Sequence, residues 1–280
     1  MFYYKKGESR KMNGFVLRVI AMATMLTDHI GWNFLDKPIV LTWIGRIAFP
    51  IYAFLLADGF LIIHNDRNRL IKHLATMFIL AVVSEPGYDL MDAGLDFAHY
   101  LDSQSNIITL LLGYAGMLAT EALLPSTGIE KDTPLRARII PLACVYGLLG
   151  FANYMLKANF NFVGPWLVIA FYWYIRASKE AEQRGAGWSW RKRFLIILLV
   201  FAFYLPLYFW DRSGFGSPSR WLEEVTNYAL WIVGHVIAAF ILSFYNGELG
   251  YHKKWFSILY TLFYPVHTFL IGVICISMGR

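Results

Sequence analysis

The chain has 280 residues, of which 58% are hydrophobic and only 16% are charged. Soluble globular domains are about 45–50% apolar and about 25% charged, so this composition excludes an ordinary water-soluble enzyme and favours a protein surrounded by lipid. The formal net charge is +6, but the basic residues lie in short segments beside apolar runs, which is typical of membrane-protein loops and argues against a nucleic-acid partner.

About nine apolar segments follow one another along the chain, separated by short polar breaks. A bilayer core needs about 20 mostly apolar residues per helix, and most of these segments reach that length. The predicted spans are 14–34, 40–63, 70–85, 105–124, 136–156, 160–178, 192–210, 226–245 and 255–277. The sequence therefore predicts an all-α, polytopic transmembrane helix bundle, with residues 1–280 forming a single transmembrane domain.

Four of these spans have distinctive features. The first follows a basic stretch and resembles a signal peptide, but it has no small-residue cleavage site, so we expect an uncleaved first span. The third is short, which predicts a tilted or partly re-entrant segment. The fifth and sixth are separated by only a few residues around Lys157, which predicts a tight helical hairpin.

The distribution of basic residues predicts the orientation of the bundle. With the N-terminus inside, 18 of the 25 Lys and Arg residues fall in inner segments and five fall in outer segments. Cytoplasmic loops are enriched in Lys and Arg, so we expect the N-terminus inside and the C-terminus outside. The predicted outer loop from Pro86 to Ser105 contains no Lys or Arg and instead carries Asp89, Asp92, Asp96 and Asp102.

Charged residues inside the spans are the first indication of a functional site. A charge at the bilayer centre costs about 2.5–3.5 kcal/mol even on lenient scales, so such residues point to function. They are concentrated in the first three spans and are Arg18, Asp28 and His29, then Arg46 and Asp58, then Glu85 and Asp89 at the outer end of the third.

Helical geometry predicts how these charges are arranged. Arg18 and His29 are eleven residues apart, which places them about 16 Å apart along the axis and within about 20° of the same face. The second span runs in the opposite direction, so Arg46 should lie near the depth of Asp28 and His29. Asp58 should lie near the depth of Arg18. Two charge-compensated layers are therefore expected. The upper layer contains Arg46 with Asp28 and His29, and the lower layer contains Arg18 with Asp58.

These layers have two interpretations. They could be ion pairs that only lock two helices together, although small residues would achieve that packing at lower cost. Alternatively, His29 beside Asp28 is suited to proton transfer, because histidine titrates near neutral pH and a nearby carboxylate can orient its ring.

The other histidines have different expected environments. His267 should lie in the outer half of the membrane near the depth of His29, whereas His235 is expected to be a packing residue at mid-membrane. No short histidine spacing typical of zinc ligands is present, and both cysteines lie in apolar segments, so no metal is expected. The remaining histidines, which are expected to be solvated, are His64, His73, His99 and His252.

Several segments together resemble the TraX family of membrane acetyltransferases, which is named for a protein that acetylates the N-terminus of conjugative pilin. They are residues 27–31 (TDHIG), 44–60 (IGRIAFPIYAFLLADGF), 85–89 (EPGYD), 106–113 (NIITLLLG) and 264–267 (YPVH). The spacing from Arg18 to His29 also resembles the Arg-to-His motif of the acyltransferase-three family. Both families resemble members of a wider superfamily of transmembrane acyltransferases. Within 85–89, Gly87 and Tyr88 depart from the Phe-Asp that usually follows the TraX proline.

The resemblance implies an acyltransferase that uses cytosolic acetyl-CoA as its donor. It implies that Arg18, in the layer with Asp58, binds the donor at the inner mouth, and that His29 is the general base with Asp28 beside it. Arg46 or Asn106 would stabilise the thioester oxyanion. The acceptor would enter from the outer side, and the residues expected to contact it are Glu85, Asp89, Asn106 and His267.

The sequence leaves the acceptor open between a pilin or other peptide N-terminus and a glycan, and between an amine and a hydroxyl. The resemblance implies a multi-pass protein of the bacterial cytoplasmic membrane. A proton-coupled transporter that uses the same Arg, Asp and His residues is the main alternative, although no inverted repeat is visible. A structural subunit of an envelope assembly machine is a third possibility.

Overall fold

The computed structural model describes residues 12–35, 39–100, 102–124, 136–212 and 232–279. Within these ranges the chain forms helices and no β-strand. The helices are α1 (Gly14–Phe34), α2 (Ile39–Gly45), α3 (Ala48–Ile63), α4 (Arg67–Ala93), α5 (Asn106–Leu123), α6 (Arg136–Met155), α7 (Gly164–Gln183), α8 (Trp190–Arg212), α9 (Ile232–Ser243) and α10 (Lys254–Ser277).

Seven helices in the described part of the chain are long and apolar enough to cross a membrane, with α2 and α3 counted together. The predicted polytopic helix bundle is therefore confirmed. The sixth predicted span is present as α7, whose carboxyl-terminal half is rich in charged residues. The eighth extends over residues 226–231, which lie outside the described residues, and its described part is α9. The orientation of the termini stays a prediction.

The third span is longer than predicted. Helix α4 has 27 residues and continues through Pro86 to Ala93, so the prediction that an outer loop starts at Pro86 is wrong. Proline lacks an N–H and normally interrupts a helix. Here α4 packs closely against α10, because a Cβ on Gly87 would lie 2.9 Å from Thr268 Oγ1 and one on Gly272 would lie 2.8 Å from the Leu90 carbonyl carbon. Small residues that allow such close approach stabilise membrane helix pairs.

The second predicted span is confirmed, because residues 40–63 form one apolar segment long enough to cross a membrane. A short break at Arg46 and Ile47 separates its two helices, α2 and α3. The break lies against α1, since a Cβ on Gly45 would be 2.3 Å from Asp28 Cγ. It also lies against α9, since a Cβ on Gly234 would be 2.8 Å from Arg46 Cβ. Interrupted helices at membrane depth occur where the backbone lines a cavity or is covered by protein.

Two packed regions support the site. The larger core is rich in aromatic residues and joins α3, α5, α7 and α8, with Phe60, Tyr114 and Tyr172 fully buried. A smaller cluster joins α1, α3, α4 and α10 around Met25 and Tyr264. Residues of both clusters line one cavity between them, so the cavity lies where the two packed regions meet.

Candidate functional site

One cavity of about 290 Å³ brings together most of the predicted site residues. Its walls come from α1, α3, α4, α5, α10 and the break in the second span. The predicted residues that line it are Arg18, Asp28, His29, Arg46 and Asn106. The predicted residues outside its lining are Asp58, Glu85, Asp89 and His267.

His29 is held by the second histidine that was expected at its depth. His29 Nδ1 lies 2.8 Å from His267 Nε2, and His267 Nδ1 lies 2.6 Å from the carbonyl oxygen of Phe263. A carbonyl can only accept, so His267 Nδ1–H is the donor to Phe263. The Nε2 of neutral His267 then carries a lone pair and accepts from His29 Nδ1–H.

This hydrogen-bond chain fixes the tautomer of His29. Its Nδ1 carries the proton, so Nε2 is left as the basic nitrogen of a ring that lines the cavity. The sequence expectation was that Asp28 or another carboxylate would orient this ring. The structure gives that position to His267, which is 6% exposed and packs against Phe263 with ring centroids 4.6 Å apart.

Arg46 and Asp28 meet at the break in the second span. Arg46 is close enough to interact electrostatically with both Asp28 and His29, as the upper predicted layer required. The Asp28 side chain packs directly on Gly45, and its Oδ1 is buried without a hydrogen-bond partner among the described residues. Buried polar groups normally have partners, so a ligand group is a natural complement to this oxygen.

The lower predicted layer is wrong. Asp58 is buried, and it accepts hydrogen bonds from Lys179 Nζ at 3.0 Å and from the Tyr245 hydroxyl at 2.7 Å. Arg18 instead lies over the ring of Tyr260 at 5.4 Å from the centroid. The prediction used depth along the helix axes, which does not determine the direction in which a side chain points.

Glu85 does not line the cavity, but it positions a residue that does. Its carboxylate accepts the backbone N–H of Ser105, at 3.2 and 3.3 Å from its two oxygens, and the Ser105 hydroxyl. Ser105 is the N-cap of α5, and the next residue is Asn106. Glu85 therefore fixes the start of α5 and with it the position of Asn106, whose Oδ1 is buried without a hydrogen-bond partner among the described residues.

The outer acidic residues lie apart from the cavity. Asp89 is partly buried on α4 and does not line it. Asp102 is exposed and pairs with Lys157 Nζ at 2.8 Å, and this hydrogen bond holds the pKa of Asp102 below its usual value. The pair links the segment before α5 to the predicted hairpin between α6 and α7.

Sequence reasoning missed three cavity residues. His73, which was expected to be solvated, lines the cavity and packs edge-on against Tyr114 at 5.1 Å. Tyr260 and Tyr264 also line it from α10. Their spacing of four residues, continued by His267 three residues later, marks one helix face and was the available signal. His235, in contrast, is buried beside Phe201 at 5.0 Å, which agrees with a packing role.

The fold and the site together define a multi-pass membrane protein with a mainly apolar cavity that also contains charged side chains, and with a histidine pair beside a broken helix. The sequence profile of the TraX protein family matches residues 13–275. The chain belongs to the TraX family, which confirms the resemblance drawn from its motifs.

A curated relative points in a related direction. The chain is 28% identical over 115 residues to the probable fimbrial assembly protein FimC, serogroup H1, of Dichelobacter nodosus. The matched part is 38% of this chain and 46% of that protein, so it spans about half the length of the relative. No solved structure matches the chain.

Proposed function

We propose that this TraX-family protein is a membrane-embedded acyltransferase that moves an acetyl or other acyl group from acyl-CoA to an amine or hydroxyl of an envelope component. The observation that carries the proposal is the His29–His267–carbonyl chain, because it leaves one basic nitrogen on a ring that lines the cavity. A general base with a fixed tautomer is what acyl transfer to a neutral nucleophile needs.

The proposed reaction balances within the site. His29 Nε2 removes the proton from the acceptor nitrogen or oxygen as that atom forms a bond to the thioester carbonyl carbon. The carbon–sulfur bond then breaks, and His29 returns the proton to the leaving thiolate, which departs as CoA thiol. His267 stabilises the transient imidazolium by accepting from Nδ1–H, as the buried partner does in serine-hydrolase triads.

Arg46 and Arg18 have separate roles in this proposal. Arg46 interacts electrostatically with His29 and offers positive charge where the thioester oxygen becomes negative. Stabilisation of that developing charge commonly contributes more to the rate of acyl transfer than any other single effect. Arg18 lines the same cavity about 16 Å from His29 along α1. It has no carboxylate partner among the described residues, so it is available for a CoA phosphate.

The acceptor is proposed from the family and from the relative. The family resemblance implies acetylation of a pilin N-terminus, and the relative is a probable fimbrial assembly protein. A pilin or pilin-like peptide of the bacterial cell envelope is therefore the first acceptor to test, and a glycan is the second.

The test uses the full chain in lipid nanodiscs with radiolabelled acetyl-CoA and a peptide that carries a pilin N-terminus. We expect acetyl-CoA to raise the melting temperature and label to transfer to the peptide. His29→Ala should abolish transfer while His252→Ala, an exposed histidine outside the cavity, retains it. If the protein neither binds CoA nor transfers label, but moves protons or solutes across the membrane, the acyltransferase proposal is wrong and the transporter interpretation is supported.

A further inference from the structure

Tyr264 is a buried residue whose polar group has no use in the mechanism above. It lies on α10, lines the cavity and is 5% exposed. Its hydroxyl makes no hydrogen bond of normal geometry to any described residue. A buried hydroxyl without a partner destabilises the fold, so its retention in a packed core calls for a ligand group as its complement.

The Tyr264 ring lies against both histidines of the site. Its centroid is 6.3 Å from that of His29 and 5.6 Å from that of His267, with the rings close to perpendicular in both cases. On its other side the backbone N–H of Asn106 is close to the phenolic oxygen. An N–H can offer only a proton to that oxygen, so the Tyr264 O–H proton is left without an acceptor.

The helix segment that carries Tyr264 is also held in place. Thr268 Oγ1 donates to the Tyr264 carbonyl at 2.9 Å, and α10 is packed on α4 through Gly87 and Gly272. Tyr264 belongs to the small cluster that includes Met25 and Tyr88. A donor that is fixed before the substrate arrives needs no reorganisation during the reaction, which is the condition for electrostatic catalysis.

We propose that Tyr264 is a catalytic hydrogen-bond donor whose hydroxyl binds the thioester carbonyl oxygen of the acyl donor. The inference rests on the proposed acyltransferase function and adds a residue that the predicted site did not contain. The O–H proton stays on Tyr264 throughout, while the carbonyl oxygen it binds becomes negative when the acceptor bonds to the adjacent carbon. Tyr264 and Arg46 then share the developing charge, and His29 alone transfers protons.

Tyr264→Phe removes the hydroxyl and keeps the ring. We expect kcat to fall about 10²–10³-fold, the usual effect of losing one oxyanion donor, with the KM for acetyl-CoA roughly unchanged. The matched control is Tyr146→Phe on α6, outside the cavity lining. It removes a hydroxyl that forms a 2.6 Å hydrogen bond with the Thr120 hydroxyl. It should leave kcat close to that of the wild type.

Kinetics and calorimetric titration with CoA on the nanodisc protein separate the outcomes. An unchanged kcat in Tyr264→Phe, or an increase in KM alone, overturns the proposal while leaving the acyltransferase function in place. A wild-type protein without CoA binding or turnover overturns both. Should Tyr264→Phe not fold, 3-fluorotyrosine at position 264 keeps the hydroxyl and makes it more acidic. A changed kcat at constant KM then supports the donor role, and an unchanged kcat overturns it.

Discussion

At the scale of single residues, the site depends on one long-range contact. His29 and His267 are separated by 238 positions. The short sequence motif around each histidine does not show that the other histidine is its partner. The sequence predicted the shared depth, because both histidines fall in the outer halves of their spans. It did not predict the hydrogen bond, since depth leaves the direction of each side chain free. The sequence favoured its neighbour Asp28 as the residue that orients the His29 ring, whereas in the structure His267 has that position.

His267→Ala tests the orienting role directly. Without its acceptor, the His29 ring loses the bond that selects the Nδ1–H tautomer, and we expect kcat to fall about 10–100-fold, as when the supporting partner of a ligating histidine is removed. CoA affinity should hold. Transfer kinetics and calorimetry check this, with His252→Ala as the control. Loss of CoA affinity with full kcat would show that His267 binds the donor instead.

Arg18 provides a second test at this scale. Because Asp58 pairs with Lys179 and Tyr245, removal of Arg18 does not leave that carboxylate unpaired. Arg18→Ala should therefore fold, and it should raise the KM for acetyl-CoA more than it lowers kcat, because a phosphate contact adds ground-state affinity. Arg18→Lys keeps the charge but loses the bidentate fork, so an intermediate KM is expected. An unaltered KM in both variants would make Arg18 a packing charge.

At the scale of helices, the break in the second span is where the charges of the upper layer meet. The hydrophobic run from 40 to 63 contains no proline before Pro50 and is typical of one continuous helix. The break coincides with two close contacts between helices, since Asp28 packs on Gly45 and Gly234 of α9 packs on Arg46. Hydropathy reports the length of a span, whereas contacts between helices determine such breaks. The same reason explains why the extension of α4 through Pro86 was missed.

Gly45→Ala tests this contact between elements. The added Cβ would lie 2.3 Å from Asp28 Cγ, a distance that real atoms do not adopt, so the Asp28 side chain or the backbone at the break must shift. We expect a lower melting temperature and a loss of transfer larger than the loss of CoA binding. Overpacking of this kind costs about 1–3 kcal/mol.

Gly147→Ala on α6 is the matched control. An added Cβ at Gly147 would meet no atom within 4 Å, so its melting temperature and transfer activity should stay near those of the wild type. If Gly45→Ala behaves like Gly147→Ala, the contact between Asp28 and the break has no part in the site.

At the scale of the whole molecule, α7 is the element on which the topology depends. It has 20 residues, or about 30 Å, and its first half is fully buried at Leu167, Val168 and Phe171. A helix enclosed by other helices needs less apolar surface than one that faces lipid. This explains why α7 is not among the seven helices that are apolar enough to be recognised as membrane spans. We infer that it crosses the membrane, as the predicted nine-span order requires.

Reporter fusions test this order. A reporter after Asn159, in the hairpin before α7, should behave as external, and one after Gly187, in the segment between α7 and α8, should behave as cytoplasmic. A reporter after Arg280 should be external, as the basic-residue asymmetry predicts. Equal behaviour of the reporters at 159 and 187 would show that α7 does not cross, and a cytoplasmic reporter at 280 would show that the predicted odd number of spans is wrong.

The buried contacts of Asp58 have a consequence for how the protein is made. Its partners Lys179 and Tyr245 follow it by 121 and 187 residues, so the ribosome delivers α3 to the membrane long before either partner has been synthesised. During that interval the nascent chain carries a carboxylate that the finished protein hides. Chains truncated before residue 179 lack both partners, so we expect membrane quality-control proteases to degrade them faster than the full chain.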